Sequence, residues 1–330
     1  MSIQEEVKQV VQKVIADKKD VGGIKRVVWV AAGGSNGGFY PAQFFMEHES
    51  HQLPSQSYTS NEFVLNPPAY IDQNTLVVLC SMRGTPETCQ AAQVAKDAGA
   101  VTIALYVYES DLTEIADHLI KYESIAIDES RTERVNSSIG LSIAMNLVNE
   151  TEGYESYTRA IEAFDQVDGL YREAVQKVTP DAKKWAKQNA DSKTIYVLGS
   201  GPAYGSAYIF SICNIEEMLQ LNSPTINSCE FFHGPFEVID RDTSVFQLIS
   251  TGRNRAADKR AVKFLKKYGG NKIYLLDGKN LGLNQLDDDI AEYFNHILFS
   301  PILNNVYMRE LSYVVGQDYN DRRYMWKVEY

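Results

Sequence analysis

Two loops rich in glycine and hydroxyl side chains follow predicted strands and have the composition of a phosphate site. The first is the run Gly33-Gly34-Ser35 after the apolar segment 27–32, and the second spans residues 81–88 after the apolar segment 75–80. Free amides at the start of a helix, together with hydroxyls, bind an anion without a large positive charge. A tight turn is the alternative for one such loop, but two in one half favour phosphate binding. The hydroxyl-bearing residues of the second loop are Ser81, Thr85 and Thr88.

The spacing of the glycines excludes two common nucleotide sites. The chain has no G-x-x-x-x-G-K-[ST] run, which a nucleoside triphosphate loop requires. The glycines from Gly33 to Gly38 do not keep the G-x-G-x-x-G spacing of a dinucleotide site. The sequence therefore predicts binding of a phosphate that is carried by a small molecule.

Side chains that could transfer protons stand in the second half of the chain. Glu217 follows another acid on a predicted helix, His233 follows two phenylalanines, and Lys327 lies near the end of the sequence. Taken alone, such residues are usually exposed or structural, so the residue types by themselves do not decide their role. The run His48-Glu49-Ser50-His51 does not match H-E-x-x-H and has no further ligand cluster, so no metal is expected.

The elements that position these residues alternate between strand and helix. A docking helix at 7–15 precedes the first predicted strand, and short apolar runs then alternate with segments of helical period. This alternation predicts an α/β fold whose parallel sheets have helices on both faces and bind ligands at the carboxyl ends of the strands. Strands are predicted at 27–32, 75–80, 101–106, 194–198, 244–250 and 272–276, and helices at 89–98, 203–221 and 259–267.

The two halves of the chain follow the same pattern. Gly33 and Gly199 are 166 residues apart, and Gly99 and Gly270 are 171 apart, both close to half of the 330 residues. We interpret this as an internal duplication. The predicted parts are a first unit at 1–150 that includes the docking helix, a helical connector at 151–190, and a second unit at 191–330 that ends in a tail.

Composition narrows the range of partners. The 32 Lys and Arg against 43 Asp and Glu give a net charge of −11, so nucleic acid and anionic membrane are poor partners. The four cysteines form no C-x-x-C pair, no apolar run approaches the length of a membrane span, and acids follow Met1 where a signal peptide carries positive charge. A cytoplasmic protein is therefore expected.

The loops and two further segments together resemble the double sugar-isomerase (SIS) domain family. They are 31–35 (AAGGS), 81–85 (SMRGT), the segment from Glu216 to the His233-Gly234-Pro235 box, and the closing run 322–330 (RRYMWKVEY). Within the family, the chain looks most similar to the fructosamine-6-phosphate deglycases, and the resemblance covers nearly the whole chain. It implies two tandem SIS subdomains, each a three-layer unit in which helices cover both faces of a parallel sheet.

The resemblance also assigns the phosphate. In the family, the first two loops hold the sugar phosphate, which implies Gly34, Ser35, Ser81 and Thr85 as ligands. The second loop departs from the usual S-x-S-G-x-T pattern because it is one residue shorter and has arginine for the second serine. The threonine could therefore be Thr85 or Thr88, and Arg83 is either a phosphate ligand or a solvated side chain.

The resemblance implies an acid and a base as well. Glu217 and His233, which are 16 residues apart, match the family's base and its proton shuttle. In related domains this histidine comes from the neighbouring subunit, which implies a homodimer. Lys327 aligns with a lysine that forms a Schiff base in glucosamine-6-phosphate synthase, although a structural or substrate-contacting role is equally open here.

The implied activity is hydrolysis of 6-phosphofructosyl amino acids to glucose 6-phosphate and the free amino acid, without a cofactor. A phosphosugar isomerase or an aminase of the synthase type is one alternative. Ser2 stands where the synthase has its glutaminase cysteine, which argues against the latter. A sugar-phosphate sensor without activity is another alternative, disfavoured because Glu217 and His233 are both present.

Overall fold

The structure is a computed structural model that describes residues 1–329. It divides into two compact units, Met1–Asp165 and Gln166–Tyr330. The boundary lies inside one long helix, Tyr157–Gln188, which makes up most of the predicted connector 151–190.

The first unit contains a five-stranded parallel sheet in the order β2-β1-β3-β4-β5. Its strands are β1 (Arg26–Ala31), β2 (Ser55–Thr59), β3 (Thr75–Cys80), β4 (Val101–Tyr106) and β5 (His118–Lys121), and its helices are α1 (Ile3–Lys18), α2 (Gly33–Gly38), α3 (Tyr40–Glu49), α4 (Ser60–Leu65), α5 (Pro86–Asp97), α6 (Asp111–Ile115) and α7 (Asn136–Thr151), followed by α8 (Tyr157–Gln188).

Helices cover both faces of this sheet, whose central strands are apolar along most of their length. Val28 and Val77 point to the face where α4, α5 and α6 pack, in one cluster of buried residues. Side chains alternate along a strand, so Trp29 points to the opposite face, where its ring centroid lies 5.2 Å from that of Phe39. Burial on both faces is what a parallel sheet in an α/β protein requires.

The second unit contains a four-stranded parallel sheet in the order β7-β6-β8-β9. Two segments of π-helix, Phe210–Met218 and Leu303–Met308, extend its helices. Its strands are β6 (Ile195–Gly199), β7 (Thr225–Asn227), β8 (Ser244–Ile249) and β9 (Ile273–Asp277), and its α-helices are α9 (Pro202–Ile209), α10 (Arg255–Tyr268), α11 (Asp288–Ala291), α12 (Asn295–Ile302) and α13 (Arg309–Val315). Short 3₁₀ helices of the second unit lie at Pro235–Val238, Gly278–Leu281, Leu283–Gln285 and Glu292–Phe294, and those of the first unit lie at Lys19–Val21 and Thr132–Arg134.

The second sheet is also buried on both faces. Val245 packs with Ala261 and Leu265 of α10 on one face. Phe246, the next residue of β8, points to the other face, where its ring lies 5.2 Å from Trp185 and 5.0 Å from Tyr307. Two parallel sheets with helices on both faces confirm the predicted α/β class.

The structure corrects the sequence alignment of the two halves at their first loop. Gly33 has φ 53° at the start of α2, and the matching conformation, φ 52°, belongs to Gly201 before α9. Gly199, which the sequence spacing matched to Gly33, is instead the last residue of β6. Within residues 1–329, no helix is both long and apolar enough to cross a lipid bilayer.

Candidate functional site

In the first predicted phosphate loop, the Ser35 side chain is held by hydrogen bonds to two neutral groups. Ser35 is half-buried on α2, directly after β1, and hydrogen-bonds with the Cys80 thiol and the Tyr122 hydroxyl. Burial raises the pKa of Cys80 to about 11 and raises that of Tyr122 as well, so both groups stay protonated at neutral pH. These contacts orient the Ser35 hydroxyl without adding a negative charge that would repel phosphate.

The second loop separates its hydroxyl groups into a buried set and an exposed one. Ser81 is buried after β3, and its Oγ accepts the amide of Thr85 at 2.9 Å. Thr88 is fully buried, and its hydroxyl bonds with Ser60 and Thr85, each at 2.8 Å. Thr85 is exposed at the N-cap of α5. We therefore expect Thr85 to contact a ligand, and Thr88, one of the predicted ligands, to support Thr85 from the core instead.

Arg83 is exposed, with its guanidinium 5.4 Å from the Tyr108 ring centroid. Arg253 has a similar place in the second unit, in the loop after β8, where it lies 6.0 Å from the Tyr293 ring. There the guanidinium is paired with Glu292 at 2.7 Å. Within residues 1–329, Arg83 makes no ion pair with a carboxylate, so its donors are available to a phosphate.

Glu217, the predicted base, stands near the end of the π-helical segment that continues α9. Its Oε1 accepts from Arg322 Nε at 2.7 Å, with 24% of the Glu217 side chain exposed and 9% of the Arg322 side chain. Arg322 Nη1 also donates to the carbonyl of Tyr319 at 2.6 Å. The tail therefore fixes the direction of the Glu217 carboxylate.

Lys327, the third predicted catalytic residue, pairs within the tail. Its Nζ lies 2.6 Å from Asp321 Oδ1, and both side chains are more than half exposed. This hydrogen bond lowers the pKa of Asp321, so the carboxylate is ionised and the contact is an ion pair. An amine that is already paired within the tail favours a structural role for Lys327. Tyr330, the last residue of the predicted tail, lies outside the described residues.

A cavity of about 520 Å³ separates the π-helical segment from the tail; we call it the Glu217 cavity. Within residues 1–329, the non-glycine residues with positive φ are Gln220 (58°) and Trp326 (62°). Gln220 lines the cavity, and the Trp326 ring lies 5.7 Å from the Arg322 guanidinium. Strained backbone of this kind is concentrated at functional sites. The cavity is lined by Ile212, Glu216, Glu217, Gln220, Leu221, Asn222, Arg322, Arg323, Tyr324 and Met325.

His233, the predicted proton shuttle, lies outside the residues that line this cavity. It is exposed on the loop after β7, before Gly234, which has φ 124°. The loop is anchored by Phe231, which is fully buried and packs against Phe264. The second unit therefore presents His233 to solvent and does not place it in the Glu217 cavity.

Comparison with known proteins gives relatives along the whole chain. Fructosamine deglycase FrlB of Bacillus subtilis (strain 168) is 35% identical over 309 residues, 93% of each chain. The chain belongs to the double SIS-domain family. Fructoselysine 6-phosphate deglycase of Escherichia coli (strain K12) is 23% identical over 91% of this chain and 85% of that one. A solved structure from Salmonella typhimurium LT2, assigned to the phosphosugar isomerases, has a TM-score of 0.93 and 36% identity over 98% of this chain and 99% of that chain. No family model matches the chain.

The second SIS unit has a buried carboxyl group where its strands end. Asp258 of α10 is fully buried, and its carboxylate accepts from Ser200 Oγ at 2.7 Å and from the Ser250 amide at 2.8 Å. Ser228 Oγ donates to it as well. These serines follow β6, β8 and β7. Burial raises the pKa of Asp258, although the hydrogen bonds from the serines act to lower it. The Asp258 side chain therefore already takes up hydrogen-bond donors at the ends of these strands.

The first SIS unit has no such carboxylate in its loops. Within residues 1–329, the side-chain hydrogen bonds of Ser35, Ser81 and Thr85 go to hydroxyls, a thiol and a backbone amide. In the second unit, by contrast, Ser200 and Ser250 donate to the carboxyl group of Asp258. In the part of the chain that the structure describes, no group of three or more His, Cys, Asp or Glu side chains could hold a metal ion.

Replacing Arg83 by alanine is expected to raise KM for a phosphorylated substrate by about 10-fold, because a charge-assisted hydrogen bond to the phosphate is lost. The effect on kcat should be small, since the role expected for Arg83 is in substrate binding. Arg83→Lys should recover part of the affinity, and Lys13→Ala, an exposed charge on α1, serves as the control. An unchanged KM in steady-state kinetics would remove Arg83 from the site.

Proposed function

We propose that this protein hydrolyses fructosamine 6-phosphates, sugar phosphates that carry an amino acid on C1, to glucose 6-phosphate and the free amino acid. The observation that carries the proposal is a glutamate at the predicted base position, held by a tail arginine in the wall of a cavity. The 35% identity to fructosamine deglycase FrlB over 93% of both chains supports the choice of substrate class.

The reaction begins with removal of a proton from C1 of the open-chain substrate. Glu217 accepts that proton, and the resulting enaminol is reprotonated to give an imine at C1, which water hydrolyses to the aldehyde and the amine. A positioned carboxylate is a suitable general base for such a step. The Arg322 guanidinium keeps the Glu217 carboxylate pointing in one direction, which favours proton transfer at a single carbon.

The phosphate is assigned to the loops of the first SIS unit. Ser35, Ser81 and Thr85 supply hydroxyls, Gly34 supplies backbone without a side chain, and Arg83 supplies a cationic fork. The support for this assignment is that the side chains of Ser35, Ser81 and Thr85 make no described hydrogen bond to a carboxylate, whereas Ser200 and Ser250 of the second unit donate to Asp258.

His233 is assigned to proton transfer at the sugar oxygens, because imidazole titrates near neutral pH. Its exposure, and its absence from the lining of the Glu217 cavity, support its contribution to the cavity of a second copy of the chain. We therefore propose a homodimer with composite sites. The cytoplasm stays the predicted compartment.

The test is a panel of substrates offered to the purified protein. The panel contains the 6-phosphofructosyl adducts of lysine linked through Nε and of several amino acids linked through the α-nitrogen. It also contains fructose 6-phosphate, with and without ammonia. We expect glucose 6-phosphate and free amino acid to appear in equal amounts from at least one adduct, measured by coupled dehydrogenase assay and amino-acid analysis.

The same panel separates the alternatives. Conversion of fructose 6-phosphate to glucose 6-phosphate would indicate an isomerase, and formation of an amino sugar from ammonia would indicate an aminase. Binding of the adducts without any product would indicate a sensor. Any of these results, in the absence of amino-acid release, would overturn the proposed hydrolysis.

A further inference from the structure

Two adjacent arginines line the Glu217 cavity, one of them buried and the other exposed. Arg322 is buried and contacts Glu217, the carbonyl of Tyr319 and the Trp326 ring. Arg323 is exposed in the same cavity wall. Its Nε donates to Gln220 Oε1 at 3.1 Å, and within residues 1–329 it makes no ion pair. The cavity therefore contains one guanidinium whose charge the described chain does not compensate.

The contact that orients Arg323 comes at a conformational cost. Gln220, its acceptor, has φ 58°, a left-handed conformation that is uncommon for a residue with a β-carbon. Glycine is the residue that adopts this conformation without strain, but glycine has no side chain to hold Arg323. A requirement for an oriented guanidinium would explain why a strained glutamine is found at this position.

The chemistry of the proposed reaction indicates what this guanidinium would bind. The amino acid that leaves is bonded through nitrogen to C1, the carbon from which Glu217 removes a proton, so the leaving group lies beside Glu217. Every amino acid in the proposed substrate class carries a carboxylate, whatever its side chain. A guanidinium fork with free donors is the group that matches a carboxylate in two parallel hydrogen bonds.

We propose that Arg323 binds the carboxylate of the amino acid that is released, and so selects glycated amino acids over other glycated amines. This inference rests on the proposed function. Arg323 is then a specificity residue that acts on the leaving group, and Arg322 positions the base. In the Glu217 cavity, Arg323 thus serves substrate recognition and Arg322 serves the proton transfer.

The experiment compares two substrates that differ only in the carboxylate. The first is the amino-acid adduct with the highest kcat/KM in the panel, and the second is the adduct of the corresponding decarboxylated amine, which for lysine linked through Nε is cadaverine. Arg323→Gln should raise KM for the first by about 10- to 100-fold, the loss of a charged hydrogen-bonded pair, and leave KM for the second within about 2-fold. Arg323→Lys should restore only part of the affinity.

Two further measurements make the result specific. Inhibition by the free amino acid product should weaken in Arg323→Gln, while inhibition by glucose 6-phosphate, which has no carboxylate, should stay unchanged. Lys266→Gln removes an equivalent exposed charge from the last turn of α10 and should alter neither KM. Thermal melting of each variant checks that the tail variants are folded.

The outcomes separate this inference from the function on which it rests. An equal rise of KM for both substrates, or weaker inhibition by glucose 6-phosphate, would assign Arg323 to the sugar phosphate and overturn the inference. Unchanged KM for both would overturn it as well. If the wild-type protein releases no amino acid from any adduct, the proposed function fails first, before any variant is compared.

Discussion

Replacing Glu217 by glutamine should lower kcat for release of the amino acid by about 10³-fold, within the range that a general base contributes. The substitution keeps the size of the side chain and an oxygen that can accept from Arg322 Nε, so the cavity wall and the tail should stay in place. It removes the one property that the proton transfer needs, a carboxylate that can accept the C1 proton. KM should change by less than about 3-fold, because Glu217 acts mainly in the transition state.

The control for this variant is Glu162→Gln, which removes the same charge from an exposed position on α8 and should leave kcat unchanged. Exchange of the C1 proton with deuterium from solvent gives a second measurement. It should stop in Glu217→Gln even if the later hydrolysis of the imine is unaffected. A variant that retains kcat within 10-fold of the wild type, or that still exchanges the C1 proton, would contradict the assignment of Glu217 as the base.

The sequence predicted the central strands of each sheet well because burial on both faces leaves a continuous apolar run. Strands β3 and β8 were predicted within one residue at each end. The edge strands β2, β5 and β7 were not predicted. Strand β2 reads SQSYT and is exposed at two positions, and β7 is three residues long, so neither has the hydrophobic signal on which the prediction depends.

The candidate site was predictable as residue types but not as contacts. Glu217 and the closing run around Arg322 both stood out in the sequence, yet only the structure joins them at 2.7 Å across more than 100 residues of chain. The pairing of Lys327 with Asp321 likewise depends on the turn of the tail. Thr88 is buried and bonds with Ser60, a contact that no pattern around the second loop indicates.

Asp258 was missed because an acid in the first turn of a helix is usually interpreted as a favourable partner of the helix dipole. Its position on α10, after the loop that resembles the first unit's phosphate loop, was the available signal. The duplicated fold presents two sets of loops at the ends of its strands, and in the second set the serines donate to an acid of the chain itself. The two sheets are therefore similar, but the loops at the ends of their strands differ in the groups that accept their hydrogen bonds.

Deleting the tail from Arg322 onward should reduce turnover by about 10²-fold or more, because the base loses the group that orients it and the cavity loses one wall. Substitutions at Arg322 and Lys327 identify which contact is responsible. Arg322→Gln should reproduce most of the loss in kcat, with partial recovery in Arg322→Lys, since lysine restores the charge but not the planar guanidinium. Lys327→Met should cost no more than about 3-fold, because an exposed ion pair within the tail contributes little.

The order of these three effects decides between a positioning role and a covalent role for the tail. If Lys327→Met abolished turnover while Arg322→Gln did not, the tail would act through its amine, and borohydride should then trap the substrate on the wild-type protein. If the deletion retained full activity with an unchanged melting temperature, the contact between Arg322 and Glu217 would have no part in catalysis. We expect neither result, because Arg322 is buried and contacts Glu217, whereas Lys327 is exposed.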